Sequence, residues 1–301
     1  GVLSANGDTK RPLTYLTIAG ILNVLFNLLF VIVCGMAEDG VALASIITQY
    51  VSAALILMHM GRQEDDCAFR LGDLKNGSDK AEGKRILGLG IPAGLQNAIF
   101  AVANLFIQGA VNSFDSVMVE GNSAAANADA IIYNVMAAFY TACSTFMGQN
   151  LGAGKRDRVL KSYLVGVVYS FAAGAVLGGM LLLFGKEFMS LFANEEDVIE
   201  AGLQRTYIMS FSYAISAFMD CTIAACRGIG KSLIPTIIVI IGSCAFRVAW
   251  IYTVFAYFRT IPSLYLLYIF SWTITAIAEI IYFIVSYKRL RLTGCLLPSG
   301  E

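Results

Sequence analysis

The sequence predicts an all-α fold, a polytopic helical membrane protein that crosses the bilayer eight times. Three observations carry this. Hydrophobic residues make up 57% of the chain and charged residues only 14%, against about 25% charged in soluble domains. The apolar residues fall into eight runs of the length, roughly 20 residues, that a membrane helix needs. The basic residues collect in every second loop, as expected of a chain that alternates across a bilayer. A β-barrel would show segments of about ten alternating residues, and these runs are apolar on every face.

The spans follow in order. The first, 13–35, starts behind Lys10, Arg11 and Pro12, and Pro is tolerated in the first turn of a helix. It ends before Ala37-Glu38-Asp39-Gly40. The second covers 41–61. A polar stretch from Arg62 to Arg85, rich in Asp, Lys, Gly, Asn and Ser, has no apolar period and reads as a linker at 62–86. The third and fourth spans, 87–112 and 124–148, are separated by Ser113 to Asn122. Basic residues at 155–161 precede the fifth, 159–184. Gly185 to Glu200 leads to the sixth, 202–226. Gly230-Lys231-Ser232 with Pro235 opens the seventh, 233–256, and Phe258 to Ser263 leads to the eighth, 263–287. The expected domains are therefore 1–61, the linker 62–86, a six-helix lobe at 87–288 and a tail at 289–301.

Orientation follows from charge. With eight crossings, 17 of the 21 basic residues lie on one side, so both ends of the chain are expected in the cytoplasm and the protein in the cell membrane. Residues 1–12 hold no apolar core of a signal peptide. The seven cysteines form no Cys-x-x-Cys pair and read as small buried hydrophobes. His59 is the only histidine. That argues against metal centres, and against Ser/His or Cys/His catalysis.

The segment Gly7-Asp8-Thr9-Lys10-Arg11-Pro12 has an echo in Gly230-Lys231-Ser232-Leu233-Ile234-Pro235. Six spans separate the two, so the repeats run parallel. The second repeat holds six spans and the first only two. A twofold-repeated carrier would then have four more spans before Gly1.

Several segments resemble the multidrug and toxic compound extrusion (MATE) family. They are Gly148-Gln149-Asn150-Leu151-Gly152-Ala153-Gly154-Lys155-Arg156; Cys226-Arg227-Gly228-Ile229-Gly230-Lys231-Ser232 with Pro235; Asn23 to Ser45, ending Gly40-Val41-Ala42-Leu43-Ala44-Ser45; and Gly90-Ile91-Pro92-Ala93-Gly94-Leu95-Gln96. Together they span nearly the whole chain. The resemblance implies a fold of two six-helix lobes, here the last two helices of the first lobe and all of the second. It also implies antiport of organic cations and other drugs against Na⁺ or H⁺.

Polar groups in the bilayer need a partner, a cavity or a function. Asn23 and Asn27 share a helix face, and Ser45 is within reach on the next span. Their oxygens are hard ligands of the kind Na⁺ takes, and interhelical hydrogen bonding is the competing and simpler explanation. By the resemblance, Asn23, Asn27 and Ser45 occupy a cation site in which Asn27 replaces a carboxylate. On the third span Gln96 and Asn97 begin a polar run, and Asn97, Asn104 and Gln108 form a stripe expected to face water. The acid pair that some family members carry in this lobe falls on Phe100 and Ser216 here and is absent. Asp220, Arg247 and Glu279 are charges inside spans, and Arg247 is expected to pair with Asp220 or Glu279. Among many aromatics and methionines, including Phe100, Met209 and Met219, the residues Tyr133, Met136 and Tyr140 are the expected lining for flat cations.

The expectation is thus a secondary-active exporter of organic cations, coupled to Na⁺ or H⁺, with no organic cofactor, no metal beyond a possible Na⁺, and no nucleic-acid partner. Its partners are the small-molecule substrate and the lipid bilayer, and the full-length protein is expected to be a monomer. A lipid-linked oligosaccharide flippase of the same superfamily is the alternative. It would call for a basic cavity, and Arg247 is the one basic residue read inside the spans. An intramembrane enzyme would need a nucleophile with its base, and none is visible.

Overall fold

The structure, a computed structural model, describes residues 2–62, 68, 72 and 79–292. Most of the expected linker and of the expected tail, with Cys67 and Cys295, lie outside the described residues. Eight helices are long and apolar enough to cross a membrane. We label them α1 (Lys10–Val33), α2 (Glu38–Arg62), α3 (Lys80–Val111), α4 (Ser116–Gly152), α5 (Arg156–Met189), α6 (Glu196–Gly228), α7 (Leu233–Phe258) and α8 (Ile261–Leu292). No strand occurs among the described residues.

Two helices begin well before their apolar runs. α3 starts at Lys80 because the Asp79 carboxylate accepts from the Ala81 amide at 2.8 Å, so Pro92 stands inside the helix. α4 starts at Ser116 because the Asp115 carboxylate caps the Met118 amide at 2.9 Å. A capping side chain satisfies a helix-end amide whatever the hydropathy of the turn that follows.

The recurring Gly-rich segments share one local geometry. Gly7, Gly154 and Gly230 have φ of 91°, 70° and 77°. At each, the next amide reaches back five residues, as in Asp8 to Leu3, Lys155 to Asn150 and Lys231 to Cys226 at 3.0, 2.8 and 2.8 Å. This is a glycine C-cap, and only glycine adopts positive φ there without steric cost. The glycine thus ends one helix, and Pro12 or Pro235 follows in the first turn of the next.

The described residues form two compact units, Gly1–Gly83 and Lys84–Glu301. In the first, α1 and α2 pack side by side. In the second, α6 is central and packs closely on α4, α5 and α8. Small residues allow this. Gly166, Ser170, Gly174 and Gly178 form a buried stripe on α5. A Cβ on Gly178 would meet the Ser210 carbonyl at 2.5 Å. Gly121 on α4 meets Gly202 on α6, where a Cβ would lie 2.7 Å from backbone nitrogen. Small-residue stripes are how membrane helices gain contact when lipid supplies no hydrophobic drive. α3 has no such crossing and makes no comparably close backbone approach among the described residues. Side chains hold it instead: Arg227 Nη2 donates to Gln96 Oε1 at 3.0 Å, and Ser232 Oγ to the Leu89 carbonyl at 3.0 Å.

Candidate functional site

A cavity of about 370 Å³ opens among α3, α4, α6, α7 and α8. Its position follows from the packing, with α4 and α6 drawn together at Gly121 and Gly202 and α3 held only through side chains. Asn104 and Gln108 of the α3 stripe line it, and so does Tyr133. Asn97 is exposed and Gln96 buried, and neither lines the cavity. Gln96 is bound to Arg227 and Thr236. Met136 is fully buried in the core, and Tyr140 packs against a separate core cluster. Of the expected lining, then, three residues meet at the cavity and four do not.

The walls combine aromatic faces with charge. Arg205, 7% exposed, is held by α4: its Nη1 donates to the Asn122 carbonyl at 3.0 Å and to Asn122 Oδ1 at 2.6 Å, and its Nη2 pairs with Asp129. Tyr213 donates to the other Asp129 oxygen, and the Tyr265 hydroxyl to Asn122 Oδ1 at 2.7 Å. The guanidinium also lies over the Tyr265 ring. The sequence pattern did not reveal this network. The signal available was a basic and an acidic residue at similar depth near one face of the bilayer.

Arg247 departs from expectation. It forms no ion pair with Asp220 or Glu279 among the described residues. Its Nε donates to Ser271 Oγ at 3.2 Å, and its guanidinium lies 4.6 to 5.5 Å from the ring centroids of Tyr268, Phe100 and Trp272. The aromatic faces take the place of a carboxylate. Nη2 is buried without a hydrogen bond. Glu279, also fully buried, has neither carboxylate oxygen bonded. Asp220 lines the same cavity as Arg247 and has no hydrogen bond or ion pair among the described residues. Trp272 is a wall of the cavity.

In the first unit, Asn27 Nδ2 donates to Asn23 Oδ1 at 3.1 Å, and Asn23 Nδ2 to Thr48 Oγ1 at 3.1 Å. Asn27 Oδ1 is buried without a donor. Ser45 is exposed and makes no side-chain hydrogen bond to either Asn. It lines a small pocket of about 280 Å³ with Asn23 and Thr48. Thr48, one turn beyond Ala44 on the buried face, is the hydroxyl that meets Asn23, and sequence reading passed over it. No cluster of three or more metal-ligating side chains occurs among the described residues.

The MatE family model matches residues 92–253. The chain is 32% identical over 212 residues to the "Probable multidrug resistance protein YpnP" of Bacillus subtilis (strain 168), covering 70% of this chain and 47% of that protein. It is 25% identical over 205 residues to the "FAD transporter" of Shewanella oneidensis, covering 66% and 44%. A crystal structure of MATE in the straight conformation superposes with a TM-score of 0.88 at 17% identity, over 96% of this chain and 65% of that one. The chain spans about half the length of the curated relatives it matches. With over half its residues inside the family match and the same helical fold throughout, the chain belongs to the MATE family of multi-pass membrane transporters.

Proposed function

We propose that this chain serves secondary-active efflux of aromatic organic cations and drugs, by antiport against Na⁺ or H⁺ with alternating access. One observation carries the reading. A cavity walled by Tyr133, Tyr265, Tyr268 and Trp272 also contains Asp220, a carboxylate with no hydrogen bond or ion pair among the described residues. Flat cations gain from ring faces and from a carboxylate together. The names of the B. subtilis and S. oneidensis relatives, a multidrug resistance protein and an FAD transporter, fit a scaffold that handles aromatic small molecules. The coupling ion would lie in the first unit, on Asn23 Oδ1 and the unpartnered Asn27 Oδ1, with Ser45 and Thr48 beside them. Ion binding biases access only through differential affinity for the two conformations. The excess of basic residues in alternate loops supports a cell-membrane protein with both ends of this chain in the cytoplasm, and we take the full-length protein to be a monomer.

A flippase for lipid-linked oligosaccharides would want a cavity of net positive charge. Here Arg205 is neutralised by Asp129, and Arg247 shares its cavity with Asp220, which balances the charge and disfavours that alternative.

The test is dye efflux from cells expressing the protein at full native length, with sodium and pH gradients imposed separately. Efflux that follows one gradient and is lost in Asp220→Asn at normal expression supports the reading. Efflux indifferent to both gradients, or intact in Asp220→Asn, refutes it.

A further inference from the structure

The α4–α5 hairpin carries a second groove, of about 670 Å³, that shares no lining residue with the central cavity. Its α5 wall is Lys155, Arg158, Lys161, Val165 and Tyr169. Steps of three and four residues put these on one face of the helix. The face is basic at the loop end and apolar further in. Opposite it, α4 supplies Phe139, Ala142 and Phe146. The floor lies where the two helices touch, at Gly166 and Cys143: a Cβ on Gly166 would stand 2.6 Å from the Cys143 Cβ. At the mouth, Asn150 Nδ2 donates to the Phe146 carbonyl at 2.8 Å and to Ser162 Oγ at 3.4 Å, which ties the Gly-rich loop segment to α5.

The charges at the mouth are unbalanced. Lys155, Arg158 and Lys161 are exposed, and none makes an ion pair among the described residues. Asp157, the one acid between positions 155 and 161, does not line the groove. Like charges at this spacing repel one another, so the mouth favours an anion. The depth says which kind. Arg158 and Tyr169 are eleven residues apart, about 16 Å along a helix. One leaflet is half of the roughly 30 Å hydrocarbon core. A basic mouth above an apolar slot of that depth matches a phosphate headgroup with an acyl chain beneath it, and a soluble anion would leave the slot unused.

We propose that this groove binds one anionic phospholipid, its phosphate on Lys155, Arg158 and Lys161 and an acyl chain between Phe146 and Val165. The lipid comes from the leaflet on the α4–α5 loop side, the cytoplasmic one by the charge asymmetry of the loops. The site does not rest on the export reading.

The test is native mass spectrometry of the purified full-length protein in detergent. It is titrated with palmitoyl-oleoyl phosphatidylglycerol, with phosphatidylcholine of the same chains, and with glycerol phosphate as competitor. One phosphatidylglycerol is expected to bind at least about tenfold more tightly than phosphatidylcholine, and glycerol phosphate should not displace it. Replacing Lys155, Arg158 and Lys161 together by Gln should weaken that lipid about 100-fold, roughly fivefold per basic residue. A control with the same charge change, Lys80→Gln, Lys84→Gln and Lys231→Gln, should keep the tight site. Ala142→Trp, which fills the slot and leaves the charge intact, should weaken it too. Should any variant lose monodispersity, the wild-type comparison of the two lipids and the competitor decides. Equal affinity for the two lipids, equal losses in the two triple variants, or undiminished binding in Ala142→Trp would overturn the proposal. Displacement by glycerol phosphate would overturn it as well, by showing a site for a soluble anion.

Discussion

The Arg205–Asp129 pair allows the sharpest test of how the second unit is held. Asp129 and Arg205 side chains are 14% and 9% exposed, so the pair is close to fully desolvated, and removing one partner leaves the other charged in an apolar bundle. Breaking such a pair costs about 3–5 kcal/mol. Asp129→Asn should fall at the low end, because an amide oxygen still accepts from Tyr213 and Arg205 keeps both Asn122 acceptors. Arg205→Gln should cost more, since Asp129 then keeps only the Tyr213 hydroxyl. For a unit of this size, 3 kcal/mol corresponds to a fall in melting temperature of roughly 6–12 °C. The double variant removes both charges and with them most of the penalty, so it should be less destabilised than the sum of the singles by about 2 kcal/mol. The assay is thermal unfolding in detergent, followed by the loss of monodisperse protein in size-exclusion chromatography. Additive losses in the double variant, or a shift of under about 2 °C for Arg205→Gln, would show that the network is exposed to water and does not brace α4 against α6.

Adjacent glycines on α5 give a control within one turn. Gly178→Ala should destabilise by about 1–3 kcal/mol, since its Cβ meets the Ser210 carbonyl at 2.5 Å. Gly179→Ala, with nothing within 4 Å, should be neutral or stabilising by up to about 1 kcal/mol, so equal melting temperatures for the two would contradict the close crossing. In the first unit, Thr48→Val removes the acceptor for Asn23 and should cost about 0.6–2 kcal/mol. It should weaken ion-coupled efflux more than Ser45→Ala does, and the reverse order would return the site to Ser45. Asn27→Ala should lower the apparent affinity for the coupling ion without changing dye binding, and unchanged coupling removes the first-unit site. Glu279→Gln should leave the melting temperature nearly unchanged, within about 1 kcal/mol, because neither oxygen has a hydrogen bond to lose. A large loss would reveal a partner for that carboxylate in the working protein.

What could be read from the sequence divides along physical lines. The eight spans were legible because a long apolar run has one cheap solution in lipid, a helix with every backbone group paired. The starts of α3 and α4 were not, because Lys80–Arg85 is mostly charged and Ser116–Ser123 mixes Val117, Met118 and Val119 with polar residues and glycine, and both become helical through the caps at Asp79 and Asp115. Asn104 and Gln108 line the cavity together because residues four apart share one helix face. Gln96 and Asn97 differ by one position, hence by about 100° around the helix. Only the tertiary position of Arg227 decides that the first is bonded and the second faces outward.

Charge partners were the least legible feature, and the reason lies in the glycines. Which acid meets which base depends on the axial register of α6 against α4, α7 and α8. The α4–α6 register is fixed where Gly121 and Gly202 touch backbone to backbone, a contact that has no polar signature in the sequence. That crossing sets Arg205 beside Asn122 and Asp129. It gives both terminal nitrogens of Arg205 acceptors on α4, whereas Arg247 has the Ser271 hydroxyl and three ring faces. The close-packed side and the cavity are thus two consequences of one arrangement. A variant that loosens the glycine crossing, such as Gly202→Ala, should therefore lose dye efflux along with stability, although position 202 does not line the cavity.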